Sequence, residues 1–107
     1  MTLDLESRFH GRMLEIYRRA AAECDYHASY FLQMVQEHGG FETARRLLYS
    51  PKVSDGFTRL WEVGRLDISV EAVVLQQPWC DLFTEEELGI ARRRLRQMGY
   101  RTGSEPY

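Results

Sequence analysis

Apolar residues recur every three or four positions along most of the chain, which is the spacing of one face of an α-helix. The first such stripe predicts a helix over residues 4–38, about 50 Å long at 1.5 Å per residue. A compact chain of 107 residues is only about 27 Å across, so this helix must break, bend or project. Its apolar positions are Phe9, Met13, Ile16, Ala20, Cys24, Phe31 and Val35, with His27 or Ala28 filling the gap.

Glycine and proline divide the middle of the chain into shorter helices. Gly39 can take the left-handed conformation that closes a helix, and Pro51 ends the next one, "FETARRLLYSP". The following segment, "VSDGFTRLWEVG", begins with a capping Ser54 or Asp55 and ends at Gly64. The side chains that this segment is expected to bury are Phe57, Leu60 and Trp61.

The stretch "GRLDISVEAVVLQQP" places two opposite charges, Arg65 and Asp67, in front of an apolar run. The run predicts a buried central helix that begins near Ser69, since a strand there would lack a partner. Asp67 or Ser69 can cap this helix, and Arg65 can reach Asp67 or nearby carbonyl groups. We therefore interpret the charges as structural. The apolar residues that surround the helix are Ile68, Val70, Val73, Val74 and Leu75.

The last helix, "LFTEEELGIARRRLRQMGY", carries a capping box of Thr84 and Glu87. Its acids stand at the start and its arginines at the end, as the helix dipole favours. The predicted fold class is all-α, a single compact bundle of about five helices with a long N-terminal helix. Residues 1–107 form one domain, in which 1–3 and 101–107 are expected to fray.

The order of "FLQMVQEHGG", "ARRLL", "GFTRLWEVGRLDISVEAVVL", "LFTEEELGIARRRL" and a closing "GY" resembles an uncharacterised family of small all-helical bacterial proteins and domains. The similarity runs from about Tyr17 to Tyr100, and its most specific part is the motif GRLD-x-(S/T)-VE. The resemblance implies one compact helical unit of bacterial origin. It implies no activity, so no functional residue is carried over from it.

Composition and charge describe an ordinary soluble chain with 44% apolar and 28% charged residues and a formal net charge of −2. No run approaches the roughly 18 apolar residues of a membrane span, and "MTLDLESRF" does not read as a signal peptide. Cys24 and Cys80 stand far apart without a CxxC pair, which favours reduced thiols. We expect a cytoplasmic protein with no membrane partner.

Chemical motifs are weak throughout. Cys24 and His27 have a spacing that could place two metal ligands together, but a structural zinc site needs two such pairs, and His27 is better explained as a core histidine. The segment around Gly64 resembles a helix-turn-helix, yet "SVEAVVLQQ" has no basic residue with which to read DNA. No catalytic motif appears. We expect no catalytic residue, cofactor or metal.

The sequence leaves two hypotheses for function. The favoured one is a non-catalytic interaction or accessory module that binds a protein partner or a second copy of itself. The alternative is a nucleic-acid-associated regulator that uses the arginine-rich end of the last helix, although a solvated helix end explains these arginines as well. The candidate residues are Phe9, Met13, Ile16 and Tyr17 on an uncovered apolar stripe of the first helix, and Arg92, Arg93 and Arg96 on the last. A bend near "AECDYH" would instead fold the first half back onto the core and leave a monomer with no exposed stripe.

Overall fold

The computed structural model describes residues 4–100, which form six α-helices and two short 3₁₀ turns with no strand among them. The expected all-α fold with a long N-terminal helix is confirmed. The ends expected to fray, residues 1–3 and 101–107, lie outside the described residues. The helices are α1 (Leu5–Cys24), α2 (Ser29–His38), α3 (Gly40–Tyr49), α4 (Asp55–Glu62), α5 (Val70–Val74) and α6 (Glu85–Gln97), with 3₁₀ turns at Leu66–Ile68 and Trp79–Leu82.

The helical segment predicted over residues 4–38, which its length required to break, bend or project, breaks between Cys24 and Ser29. Asp25 adopts the left-handed conformation at φ 52°, and its backbone N–H bonds to the carbonyl of Ala20. Aspartate is among the few side chains that tolerate this conformation. The break lets α2 pack against both α1 and α3.

The apolar stripe of α1 lies in the core of the chain itself. Phe9 and Met13 are fully buried, and Ile16 is nearly so. The ring centroid of Phe9 lies 5.6 Å from that of Trp79 and 5.5 Å from that of Phe83. The expectation of an uncovered stripe on the first helix is therefore wrong, because the break at Asp25 makes the bundle short enough to cover it.

Two adjacent glycines bring α3 against α1. Gly39, at φ 84°, joins α2 to α3, and the N–H of Gly40 donates to His10 Nδ1 at 3.0 Å. A Cβ atom on Gly40 would lie 2.7 Å from the Cα of His10. The two helix backbones meet closely only because position 40 has no side chain.

The short helix α5 forms the centre of the core, and each of its five residues is buried. The helix is shorter than the apolar run suggested. Ser69 is its N-cap: its hydroxyl accepts the N–H of Ala72 at 3.2 Å and donates to the carbonyl of Leu66 at 2.7 Å. Of the two predicted caps, Ser69 holds the role and Asp67 does not. The predicted helical state of this β-branched segment is confirmed.

The caps of α4 and α6 agree with the sequence. Ser54 accepts the N–H of Phe57 at 3.0 Å. Thr84 Oγ1 accepts the N–H of Glu87, while Glu87 Oε1 accepts the N–H of Thr84, which completes the predicted capping box. Trp61, in contrast, was expected to be buried and is 46% exposed. The eight-residue α4 buries one face only, through Phe57 and Leu60.

Candidate partner-binding groove

A groove of about 880 Å³ opens on one side of the bundle. Buried residues of the C-terminal half of α1 and the start of α5 line it, together with residues of α2, the end of α3, the segment after α3, and α4. Large flexible or aromatic side chains dominate its wall, and such side chains supply most of the binding energy in protein interfaces. They are Tyr17, Tyr26, Tyr30, Phe31, Met34 and Phe57.

The break between α1 and α2 creates this groove. α2 starts at Ser29 in a new direction, α4 packs chiefly against the 3₁₀ turn Leu66–Ile68, and residues of both helices line the groove. At the mouth, Tyr30 is 73% exposed and Val53 is 40% exposed. Apolar side chains at the edge of a concave apolar surface are typical of an interface.

The rim of the groove carries charged groups of both signs. Lys52 and Arg46 are exposed lining residues, and Arg46 has its ion pair with Glu42 at 3.3 Å. His27 also lines the rim, with its Nε2 3.6 Å from a carboxylate oxygen of Asp25. Among the described lining residues, Asp55 is the exposed carboxylate. With the ion-pair partners Glu42 and Asp25 included, the groups around the mouth have no excess of positive charge.

A buried carboxylate, Glu71, lies at the floor of the groove. Burial raises the pKa of Glu71 above its usual value, and the neighbouring Arg94 guanidinium opposes this shift. Arg94 Nη1 lies 3.3 Å from Glu71 Oε2 and 2.9 Å from the carbonyl oxygen of Leu47, and its Nη2 donates to the carbonyl of Ser50. This ion pair holds the C-terminal end of α3 to α5 and α6.

The Glu71–Arg94 pair was not predicted. In the sequence Glu71 reads as an acid in the first turn of its helix, where the dipole favours it, although all its neighbours in α5 are apolar. One signal could have found the pair: an acid inside a wholly apolar helix needs a buried partner. That signal would not have identified Arg94, which is 23 residues away.

Of the first-helix candidates, Ile16 and Tyr17 line the groove, whereas Phe9 and Met13 do not. The arginines of α6 separate into two groups. Arg94 points inward, while Arg92, Arg93 and Arg96 share the outer side of the helix by their spacing. Arg92 Nη1 is 3.8 Å from a carboxylate oxygen of Glu85. Among these three arginines, Arg93 and Arg96 are exposed.

The charges of "GRLDIS" form a structural cluster, as predicted. Arg65 donates to the two carboxylate oxygens of Asp67 at 3.0 and 3.1 Å and to Glu23 Oε1 at 2.7 Å. Arg19 Nε donates to the other oxygen of Glu23 at 2.9 Å. Hydrogen bonds from Arg19 and Arg65 lower the pKa of Glu23 to about 2. The cluster ties the last turn of α1 to the 3₁₀ turn that precedes α5.

The predicted core position of His27 is wrong, because His27 lies in the break after α1 and its side chain is 63% exposed. Cys24 is half-buried, and both cysteines are free thiols. Within residues 4–100, no three His, Cys, Asp or Glu side chains come close enough to hold a metal ion. None of the helices in this range is long and apolar enough to cross a membrane.

Comparison with known proteins finds no matching family model, no matching curated protein and no matching solved structure. The geometry of the groove is therefore the basis for assigning a function. Two of its polar lining residues already have partners within the chain: the Ser54 hydroxyl caps α4, and Glu71 pairs with Arg94. What the groove offers to a ligand is apolar contact surface with charged groups of both signs at its rim.

Proposed function

We propose that the chain is a non-catalytic helical interaction module, an accessory component of a bacterial cytoplasmic protein system, and that it binds a partner protein through the groove. The observation that carries this proposal is the groove itself, a concave aromatic surface of about 880 Å³ with exposed Tyr30 and Val53 at its mouth. Covering a solvent-exposed apolar surface of this shape with a partner is favourable, because it removes apolar area from water.

The setting of the module is supported by two observations. The resemblance carried by "GRLDISVE" is to bacterial proteins, and both cysteines, Cys24 and Cys80, are free thiols. Free thiols fit a reducing compartment, where disulfides seldom persist. Recognition of a protein needs apolar surface and rim charge, and the groove supplies both.

A site-specific crosslink tests the proposed function. Tyr30 is replaced by the photoreactive residue p-benzoylphenylalanine, the chain is expressed in its host, and crosslinked products are identified by mass spectrometry. Tyr49 is the matched control position, since it is 47% exposed and lies outside the groove. A host protein linked at position 30 and not at 49 would support the proposal. No host adduct, or equal adducts at both positions, would refute it.

Self-association competes with partner binding. Burial of Phe9, Met13 and Ile16 removes the first-helix stripe as a dimer contact, so a dimer would have to use the groove or another exposed surface. Light scattering coupled to size-exclusion chromatography at micromolar concentration distinguishes the two. If two copies crosslink one-to-one at position 30 and the protein is a dimer in solution, the occupant of the groove is a second copy of the chain and not a different protein.

The alternative function is binding to nucleic acid through Arg92, Arg93 and Arg96 on the outer side of α6. The exposure of Arg93 and Arg96 favours it, and the exposed acids Glu85 and Glu86 on the same helix oppose it. This function requires that the affinity for a DNA or RNA duplex fall steeply as salt concentration rises. It also requires that an Arg93→Gln, Arg96→Gln variant bind more weakly than the parent chain at the same salt concentration. Equal weak binding by both proteins would exclude this function.

A further inference from the structure

We propose that His10 is a pH-sensitive latch between α1 and α3, closed while its imidazole ring is neutral and open once the ring is protonated. The latch is the hydrogen bond that the backbone N–H of Gly40 donates to His10 Nδ1 at 3.0 Å. This inference goes beyond the proposed function and does not depend on the groove. It is drawn from the bond itself, the close packing around it and the charged groups beside the ring.

The bond between Gly40 and His10 requires one protonation state of the ring. A ring nitrogen accepts a hydrogen bond only when it carries no proton, so the neutral imidazole has its proton on Nε2. A protonated imidazole donates from both nitrogens and would point an N–H at the N–H of Gly40. Histidine is the side chain that ordinarily gains this proton between about pH 5 and 8. Protonation of His10 therefore breaks the bond.

The position of Gly40 makes loss of this acceptor costly. Gly40 is buried and is the first residue of α3, and the N–H groups of a first turn have no partner within their own helix. A Cβ atom on Gly40 would lie 2.7 Å from the Cα of His10, so the two helix backbones meet here. The positive end of the α3 dipole also disfavours a cationic ring at this place. A protonated His10 must therefore turn away from α3.

A hollow beside the ring gives it room to turn. The hollow has a volume of about 420 Å³, and its ionisable lining groups come from all three helices that meet there. Besides His10, they are Glu6 on α1, His38 on α2 and Glu42 on α3. The two carboxylates attract a charged ring, and a ring that turns toward either of them leaves Gly40. Their charge therefore favours opening of the latch.

Two of these groups also have ion-pair partners at the surface. His38 Nε2 lies 3.9 Å from a carboxylate oxygen of Glu37. The Glu42 carboxylate lies 3.8 Å from Arg45 and 3.3 Å from Arg46. Because Glu42 is already shared by two guanidinium groups, Glu6 is the carboxylate on which a protonated His10 is expected to settle.

Nuclear magnetic resonance of the full chain tests the latch at both of its ends. The nitrogen-15 shifts of the imidazole report protonation of His10, and hydrogen exchange reports protection of the Gly40 amide. Corrected for the intrinsic pH dependence of exchange, protection of Gly40 should fall by about tenfold between about pH 7.5 and pH 5.5. The fall should have the same midpoint as protonation of His10.

Two histidine variants provide a matched pair. His10→Asn keeps an acceptor for Gly40, since the amide oxygen of Asn lies about where Nδ1 lies, and it removes the titrating ring. Protection of Gly40 should then be independent of pH over the same interval. His38→Asn removes the other histidine of the hollow and should leave the fall at Gly40 unchanged. Comparison with the parent chain cancels the effects of other titrating groups, including Glu71.

Constant protection of Gly40 while His10 takes up its proton would overturn the inference. An equal fall in His10→Asn would do the same, and so would loss of the fall in His38→Asn. If His10→Asn does not fold, the parent chain and His38→Asn still decide, because they show whether the Gly40 amide follows the His10 ring. Crosslinking at position 30 does not enter this test, so failure of the latch leaves the proposed function standing.

Discussion

Arg94 Nη1 lies 3.3 Å from Glu71 Oε2, and the two side chains are only 11% and 4% exposed. The same nitrogen also donates to the carbonyl of Leu47 at 2.9 Å. One guanidinium thus satisfies a buried acid on α5 and a carbonyl at the end of α3. A buried pair of this kind stabilises a fold only while both partners are present.

We expect Arg94→Met to lower the free energy of unfolding by about 3 kcal/mol or more, because it leaves the Glu71 carboxylate buried without a partner. Urea denaturation measures the change. Adding Glu71→Leu should restore part of the loss. Arg93→Met, a change at the exposed neighbour, should stay within about 0.5 kcal/mol of the parent chain. Equal losses at positions 93 and 94 would contradict the role of the pair.

The pH dependence of that variant gives a second observable. Burial raises the pKa of Glu71 above its ordinary value of 4.5. An acid with a raised folded-state pKa contributes stability that is present below its unfolded pKa and is lost as pH rises through the folded value. Without Arg94 this loss is larger. The deficit of Arg94→Met should therefore be smaller near about pH 4 than near pH 7, and an equal deficit would argue against a charged Glu71.

Val74 and Val63 test the position of the central helix. Val74 is fully buried in α5, whereas Val63 is 42% exposed after α4. Val74→Asp should cost several kcal/mol, because it buries an unpaired carboxylate, and Val63→Asp should cost less than about 1 kcal/mol. Thermal unfolding followed by circular dichroism measures both. Normal stability of Val74→Asp would show that α5 is not buried.

Ser69 and Asp67 divide the roles in the "GRLDIS" motif. Ser69→Ala removes the N-cap of α5 and should lower stability by about 1 to 2 kcal/mol. Asp67→Ala removes a partly exposed ion pair with Arg65 and should cost less than half as much. The cap that the sequence leaves open between Asp67 and Ser69 belongs to Ser69. Denaturation midpoints in urea would reject this assignment if Asp67→Ala proved the more harmful change.

Substitutions at Gly11 and Gly40 test two different effects, helix propensity at Gly11 and close helix packing at Gly40. Gly11 is exposed within α1, and a Cβ atom there would contact nothing within 4 Å, so Gly11→Ala should stabilise the protein by about 0.5 to 1 kcal/mol. Gly40→Ala should instead destabilise it by about 1 to 3 kcal/mol, since the new atom would press on His10. Melting temperatures should move in opposite directions. A shift in the same direction would mean that α1 and α3 are not in close contact.

The carboxylate of Glu23 should titrate with a pKa of about 2, because Arg19 and Arg65 both donate to it. A depressed pKa means that its stabilising contribution is present above the unfolded value near 4.5 and is lost as pH falls through about 2. Carbon-detected nuclear magnetic resonance follows this titration. In Arg65→Gln the midpoint should rise toward the usual range. An ordinary pKa in the parent chain would show that the cluster does not form in solution.

The sequence by itself determined the local features of this protein. The capping box of Thr84 and Glu87, the cap at Ser54 and the helical state of Val70–Val74 all follow from residues within a few positions of one another. The contact between Arg65 and Asp67 is equally local. Caps and helix periodicity depend on neighbours along the chain, which is why spacing alone predicts them.

The length of the first segment requires a break, bend or projection, and only the tertiary structure decided which of these occurs and what the apolar stripe meets. The helical spacing of apolar residues continues past Asp25, so it does not mark the break. The left-handed conformation of Asp25 changes the direction of the chain, while the residues on either side keep their helical spacing. Glu71 and Arg94 meet across 23 residues, and the groove joins side chains from α1 to α5. Such contacts depend on how helices pack, and packing is set by the whole core. The spacing of residues within one segment does not reveal how the helices pack.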